Sequence, residues 1–384
     1  MARLVLAGAG HAHAQVLLEC SRAPLPGVEL VVVSPQALAP YSGMVPGWLA
    51  GTYRLDEMVI DFPGLCAAAG ARWVAAEVDT LDPDGKQLML TIGEALGYDL
   101  LSLNVGSTLR PPPGEAACML AMRPLSALPA AYEAVLSDWS RGPTGRPWTV
   151  TAVGGGAAGV ESLLAVLAVL AVLAQLRKLR PDRPVQGGIV TSGTQLLPGL
   201  SVPARRAAQL SSRWCEAIGR SSDLVLWATG AEAHDWQRDP TRRGSLSVSA
   251  QGFVQVDQQL RSVSHPDVFA VGDCAHWEPG PHALPKAGVI AVRMGPVLSN
   301  NLRAALDGAA GSHPYRPQRQ FLVLLATGDG RAIASRGPFG TSGSWAWRWK
   351  DFIDRRFIAR YAKTTSSTAS TASTASTSYE SDIA

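Results

Sequence analysis

A chain of 384 residues, 47% of them hydrophobic, is long enough for two domains with cores of their own. Its formal net charge of +3, without a long basic run or an aromatic–basic platform, gives no sign of a nucleic-acid partner. The five cysteines are scattered and include no C-x-x-C pair, which disfavours a disulfide scaffold, a zinc ribbon and a thioredoxin-type dithiol and fits a reducing, cytoplasmic setting.

The first apolar run, Leu4 to Ala7, reads as a buried parallel strand, and no signal peptide is expected ahead of it. It stops at Gly8-Ala-Gly10 and restarts as a helix through Ala12 to Leu18, the pattern of a dinucleotide-binding turn. Gly8 permits the tight turn, Gly10 lets a pyrophosphate approach, and the helix N-terminus offers N–H groups and a positive dipole end. His13 stands where a third glycine is expected, so this turn alone is equally compatible with plain loop chemistry. Val28 to Val33 reads as the second strand, ending in Ser34 and Pro35 where a ribose-binding acid is usual. Tyr41 to Gly51 is rich in turn residues yet apolar, which suits packing against a flat aromatic group or the core. Arg72 to Val78 and Tyr98 to Gly106 read as further strands, and Pro111-Pro-Pro-Gly114 is a stiff break before a domain crossing.

A second strand, Trp148 to Val153, runs into Gly154-Gly-Gly-Ala-Ala-Gly159, a full G-x-G-x-x-G opening a helix. Glu161 falls in the first turn of that helix, where its charge suits the dipole whether or not it serves chemistry. Leu163 to Ala174 is uninterruptedly apolar but far short of the roughly 20 residues of a bilayer span, so a buried helix is expected. Two complete strand–glycine–helix units suggest two dinucleotides. Asp223 to Gly230 ends in Ala-Thr-Gly and Asp267 to Asp273 in Gly272-Asp273, a carboxylate placed to accept a ligand hydroxyl or to cap the next segment. Leu284-Pro-Lys286-Ala287-Gly288 leads into a helix over Ala291 to Leu306. His11 with His13, and Cys274 with His276 and His282, lack a recognised metal spacing, so no metal is expected.

Trp345 to Tyr361 suits an amphipathic helix with Trp345, Trp349, Phe352, Ile353 and Phe357 on one face and a basic remainder. Such a face fits a peripheral membrane contact through 345–361, docking on its own domain, or a second subunit in a homodimer. The Ser-Thr-Ala tail after Thr364 reads as disordered.

The order of these stretches resembles the pyridine nucleotide-disulfide oxidoreductase superfamily, and the missing C-x-x-C points to its type II NADH dehydrogenase-like members. Gly8-Ala-Gly-His-Ala-His13, Tyr41-Ser-Gly-Met-Val-Pro-Gly47, Leu226-Trp-Ala-Thr-Gly230 and Trp347-Arg-Trp-Lys-Asp-Phe-Ile-Asp354 are similar to the flavoprotein domain associated with selenide, water dikinases. The resemblance implies an α/β fold of two Rossmann-like, three-layer domains, the NAD(P) domain inserted in the FAD domain, plus a small C-terminal region. In residues, it implies an FAD domain in two parts, 1–118 and 251–330, an NAD(P) domain over 119–250, a C-terminal region over 331–363 and a tail over 364–384. FAD would lie on Gly8, Gly10, His11 and Ala12, with Ser34 and the adjoining Pro35 at the adenosine ribose, and Val78 and Gly106 are further cofactor-binding candidates. Tyr41, Ser42 and Gly43 would lie along the flavin, Asp273 on the ribityl chain, and Lys286, Ala287 and Gly288, by backbone or side chain, near the isoalloxazine, with Gly230 and Gly272 as further cofactor-binding candidates. NAD(P)H would sit on Gly154, Gly156 and Gly159, with Glu161 and Lys286 as the candidate catalytic charges.

One departure concerns the inserted domain. The family carries a strand and a meander between the helix matching Pro203 to Ala217 and the Ala-Thr-Gly strand, whereas Ile218 to Asp223 bridges them directly here. The expected activity is hydride transfer from NAD(P)H to FAD and on to an external acceptor such as a quinone, without a redox disulfide. The alternative is a non-catalytic or impaired flavin-binding protein linked to selenium metabolism, with a selenide, water dikinase as its partner.

Overall fold

The computed structural model describes residues 1–109, 119–142, 147–154, 160–190, 203, 222–280, 284–308, 313–318 and 322–376, with the side chains of 160–165, 363 and 365–376 outside that description. Strand β1 (Ala2–Ala7), helix α1 (His11–Arg22) and strand β2 (Val28–Val33) form the opening unit. The strands pair in parallel from Ala2 with Val28 to Ala7 with Val33. Their apolar runs are buried on both sides, as parallel strands covered on two faces must be. The full sheet runs Val268–Ala270, Leu100–Leu103, β1, β2, Arg72–Val74, all parallel. Its last strand to be made comes from the far side of the second sheet in sequence.

One face of this sheet is covered by α1, by the short helix Phe62–Ala69 and by the long helix Gly288–Leu306. The other face carries an antiparallel meander of Val78–Asp82, Gln87–Leu90 and Ala95–Gly97. The expected strand over Arg72 to Val78 is thus two strands: the chain leaves the sheet after Val74 and joins the meander at Val78. Helix α2 (Val45–Leu49) lies inside the apolar loop that follows Tyr41.

A second parallel sheet, in the order Met119–Ala121, Leu224–Trp227, Trp148–Val153, Val185–Val190, lies in sequence wholly between the two parts of the first. The architecture is α/β with two parallel sheets, one inserted within the other. Helix Val160–Leu179 holds the Leu-Ala-Val repeats, and every residue from Val166 to Leu173 is buried. A helix apolar all round needs neighbours all round, and this one packs on the second sheet and on α2. No helix of the described residues is long and apolar enough to cross a membrane. Of the short link Ile218 to Asp223, only Ser222 and Asp223 lie within the described residues. Asp223 accepts from the Thr149 amide at 2.9 Å, and the Ser222 and Thr151 hydroxyls share a 2.6 Å hydrogen bond.

The C-terminal region is a three-stranded antiparallel meander, Val323–Ala326, Ala332–Arg336 and Phe339–Gly343, followed by helix Ser344–Ser376. Two sequence expectations change here. The helix continues to Ser376 in place of the expected unfolded tail; extending a helix that is already nucleated by docked residues costs far less than starting one. The apolar residues also divide between two faces. Phe357 is 6% exposed and packs inward, whereas Phe352 is 61% exposed and Trp345, Trp349 and Ile353 stand outside with it.

Trp139, on helix Leu128–Arg141, is fully buried against Trp148 and beneath the Arg183 guanidinium, 4.1 Å from the ring centroid. Trp139→Ala is expected to destabilise the protein by about 3–5 kcal/mol, measured by urea unfolding, because it removes a large ring and leaves a cavity.

Candidate cofactor site

At the end of β1 the chain turns at Gly8, whose φ is +102°. A Cβ at Gly8 would lie 2.4 Å from the Asn104 carbonyl oxygen, and one at Gly10 would lie 2.1 Å from Asn104 Oδ1. Both glycines are therefore demanded by the neighbouring strand end as well as by any ligand. Asn104 is buried, and its Oδ1 accepts from the amides of Ala12 at 3.1 Å and His13 at 3.4 Å. Its Nδ2 donates to Val271 O at 2.9 Å. This corrects the sequence reading of Ala12, whose amide is engaged by Asn104. His13 is wholly buried as well, with Nδ1 2.7 Å from Gly8 O and Nε2 2.8 Å from Ser102 Oγ. A carbonyl only accepts, so Nδ1 carries the proton and Nε2 receives the serine hydroxyl. His13 braces the turn in the place of the third glycine.

A cleft of about 660 Å³ opens at the carboxyl ends of the first sheet. Of the sequence-derived residues, it is lined by Gly8, Gly10, His11, Ser34, Pro35, Ser42, Gly43, Val78, Gly106, Asp273, Lys286, Ala287 and Gly288. The helices beginning at His11 and at Gly288 both start at this cleft, so two positive dipole ends meet there. A Cβ on Gly288 would fall 2.1 Å from Ser42 Oγ, which fixes how closely these two walls approach.

Other residues lie elsewhere. Tyr41 is turned away from the cleft and stacks on Phe357 at 4.3 Å. Gly272, at φ +71°, sits behind the wall, its amide 3.3 Å from Met294 Sδ. Gly154 donates to Val190 O at 3.0 Å, and Gly230 follows the strand Leu224–Trp227; both belong to the second sheet. Gly156, Gly159 and the Glu161 side chain lie outside the described residues.

Arg123, which no motif flags, is paired with the Asp273 carboxylate. It also bonds Ser107 Oγ and donates to Lys286 O at 2.8 Å. It comes just after the short strand Met119–Ala121, in a stretch with no periodic signal. His234 escapes the sequence reading for the same reason; it lines the cleft with Nε2 3.1 Å from Val105 O, and burial lowers its pKa. Lys286 lines the cleft with its ammonium engaged by the protein. Its ammonium bonds Ala275 O and lies 3.7 Å from the Phe253 ring centroid, and burial lowers its pKa to about 8 against the pull of Asp273.

His11 Nε2 is buried without a hydrogen-bond partner, and desolvation lowers the pKa to about 4, so the ring is neutral at pH 7. An orphaned polar atom, a glycine turn and a carboxylate around one cleft fit a bound dinucleotide. No cysteine is among the described residues lining it. Burial pushes the Cys274 thiol up to about 11 and the Cys66 thiol up to about 12, which keeps both protonated at neutral pH. Among the described residues, no group of three or more His, Cys, Asp or Glu could hold a metal ion.

Residues 216–295 match the family model described as pyridine nucleotide-disulphide oxidoreductase. The large subunit of the NAD(P)H nitrite reductase of Klebsiella oxytoca is 31% identical over 34% of this chain, a match that spans only 12% of that subunit. An NADH dehydrogenase-like protein of Mycobacterium tuberculosis is 26% identical over 72% of this chain and 73% of its own. Among solved structures, the sulfide:quinone oxidoreductase of Aquifex aeolicus superposes with a TM-score of 0.74 at 14% identity, covering 95% of this chain and 92% of that one. NDH2 of Plasmodium falciparum, in complex with NADH, gives 0.68 at 13% identity over 92% and 97%. These likenesses establish the fold.

Asn104→Ala would leave the Ala12 and His13 amides without the acceptor they share and take one of its donors from the Val271 carbonyl, so a loss of about 2–4 kcal/mol is expected in urea unfolding. The pH dependence follows from His13, whose pKa of about 4 in the fold lies below its ordinary 6.5, chiefly through burial. Between these values the unfolded chain binds more protons than the native one, so the His13 contribution to stability falls as pH drops from 6.5 toward 4, by roughly 3 kcal/mol, and His11, lowered to about 4 as well, steepens the decline. His13→Gln should show a shallower decline over that window when unfolding midpoints are compared at several pH values.

Proposed function

The chain is a relative of the pyridine nucleotide-disulphide oxidoreductases and of NADH dehydrogenase-like proteins, and we propose that it is an FAD-dependent NAD(P)H oxidoreductase. The observation that carries this reading is the convergence of the Gly8–His11 turn, Asp273 and the Gly288 helix N-terminus on one cleft. Bound FAD would supply the redox chemistry, taking a hydride from NAD(P)H and returning electrons to an external acceptor. The chain's own residues bind and orient. Gly8 and Gly10 admit the pyrophosphate to the N-terminus of α1, where the dipole favours its charge. Neutral His11 offers its unpartnered nitrogen without adding a charge. Asp273, paired with Arg123, would accept a ribityl hydroxyl. The N-terminus of helix Gly288–Leu306 favours negative charge on the ring system beside Gly288. The second sheet, with Gly154 at its glycine turn, holds the nicotinamide nucleotide.

The purified protein should carry the visible flavin absorbance, and NADH or NADPH added without oxygen should bleach it. A yellow protein that no nicotinamide nucleotide bleaches supports the binding-only alternative, and a protein that takes up no FAD overturns the reading. Asp273→Ala should weaken FAD binding roughly tenfold or more through loss of a charge-assisted hydrogen bond.

A quinone is the proposed acceptor, reached at a membrane surface. Supporting this, Trp345, Trp349, Phe352 and Ile353 are exposed together on the C-terminal helix, with Arg348, Arg355, Arg356 and Arg360 exposed around them. Exposed aromatics flanked by cations suit the headgroup region of an anionic bilayer. The protein should co-sediment with anionic lipid vesicles, and replacing Trp349 and Phe352 by serine should abolish this while leaving NAD(P)H-dependent flavin bleaching intact.

A further inference from the structure

The stretch Trp347 to Asp354 has no part in the cofactor site described so far. In the structure its Lys350 and Asp354 are both buried and form an ion pair one helical turn apart. A buried pair of this kind adds little net stability, because desolvating two charges offsets their attraction. This one reaches beyond itself. Lys350 Nζ also donates to Gly43 O at 2.6 Å, and the Tyr41 hydroxyl lies close enough to the Asp354 carboxylate for the two to interact electrostatically. The Tyr41 ring is stacked on Phe357 and meets the His11 ring edge-on at 5.5 Å. On the same helix, the Tyr53 hydroxyl donates to Asp351 at 2.8 Å, and Arg355 joins Asp351 to Glu57. Every one of these grips falls on the segment from Tyr41 to Glu57, whose Ser42 and Gly43 line the cleft. The turn is packed closely enough that a Cβ on Gly43 would lie 2.7 Å from the Tyr41 ring.

We propose that Lys350 and Asp354 are positioning residues for the bound cofactor, holding the Tyr41–Gly43 turn from behind so that Ser42 and Gly43 face the cleft in a fixed register with Gly288. An ammonium suits this task because its three donors serve a backbone carbonyl and a carboxylate at once, which no apolar side chain does. The carboxylate, in turn, neutralises the lysine and faces the Tyr41 hydroxyl. The C-terminal helix thereby becomes part of the cofactor site without touching the cofactor. The proposal rests on the FAD reading above for its consequence, and on the contacts alone for its mechanics.

The test uses the full chain with two variants. K350M/D354L removes both charges together, so neither is left buried and unpaired. Y41F keeps the ion pair and the ring stack and removes only the hydroxyl that interacts with Asp354. In K350M/D354L, hydrogen exchange at the amides of 41–44 should quicken at least about tenfold while the amides of β1 stay protected, and bound FAD should be released roughly tenfold faster. Y41F should shift both readouts the same way by roughly threefold. A pair with only a stabilising role would lower the melting temperature and leave exchange at 41–44 and FAD release as in the parent, and that result overturns the proposal. If the double variant fails to fold, Y41F decides by the same criteria. Should the parent take up no FAD, the cofactor reading fails by itself, and exchange at 41–44 still decides whether the pair holds the turn.

Discussion

The structure depends on one side chain, Asn104, more than on any motif that the sequence displays. Its amide joins the start of α1 to Val271, across the whole inserted domain. The glycine turn at Gly8 and Gly10 is shaped around it, and Gly272 is held open for the same group, since a Cβ there would lie 2.7 Å from Asn104 Nδ2. Three of the glycines expected to serve a ligand therefore serve an asparagine first. The cleft has its form because the two halves of the first domain are pinned at this point.

Around that pin, charge is arranged with economy. Two helix N-termini and Arg123 make the cleft attractive to an anion, while Asp273 is the carboxylate set among them. The histidines of the opening turn are kept neutral by burial, so neither competes with the dipoles. His13, Ser102 and Gly8 form a short buried chain of hydrogen bonds in which both ring nitrogens are satisfied. Such a chain holds geometry at small cost, which a flexible third glycine could not do.

Strands of both sheets are legible in the sequence because they are short apolar runs rich in β-branched residues. Val28–Val33 and Trp148–Val153 agree with the sequence reading residue for residue. The glycine turns are legible as well, since a strand that stops at Gly-x-Gly has few alternatives. Asn104 is not, because it sits inside a run that reads as plain strand. Arg123 stands in a segment without periodicity, and Tyr41 faces a helix that begins about three hundred residues later, a partner that no local pattern can specify. The C-terminal helix misleads for a physical reason. A reader of amphipathic patterns places charges outward and aromatics inward, yet Lys350 and Asp354 are inside and Trp349 and Phe352 outside. Each charge is compensated by a partner, and the apolar residues are shared between the docked face, with Ala346, Phe357 and Tyr361, and the outer one.

The order of strands in the first sheet has a consequence for how the chain is made. When the ribosome has delivered Leu100–Leu103, four strands of that sheet exist, but the strand that borders them, Val268–Ala270, has not yet been synthesised. Until the whole second sheet has emerged, Leu100–Leu103 remains an unpaired parallel edge, and Asn104 lacks the Val271 carbonyl. Pairings this distant in sequence close slowly, and an open hydrophobic edge invites a second nascent chain to bind it. The completion of the cleft therefore waits on the segment that carries the second sheet, and the first four strands keep an open edge until that segment has been made.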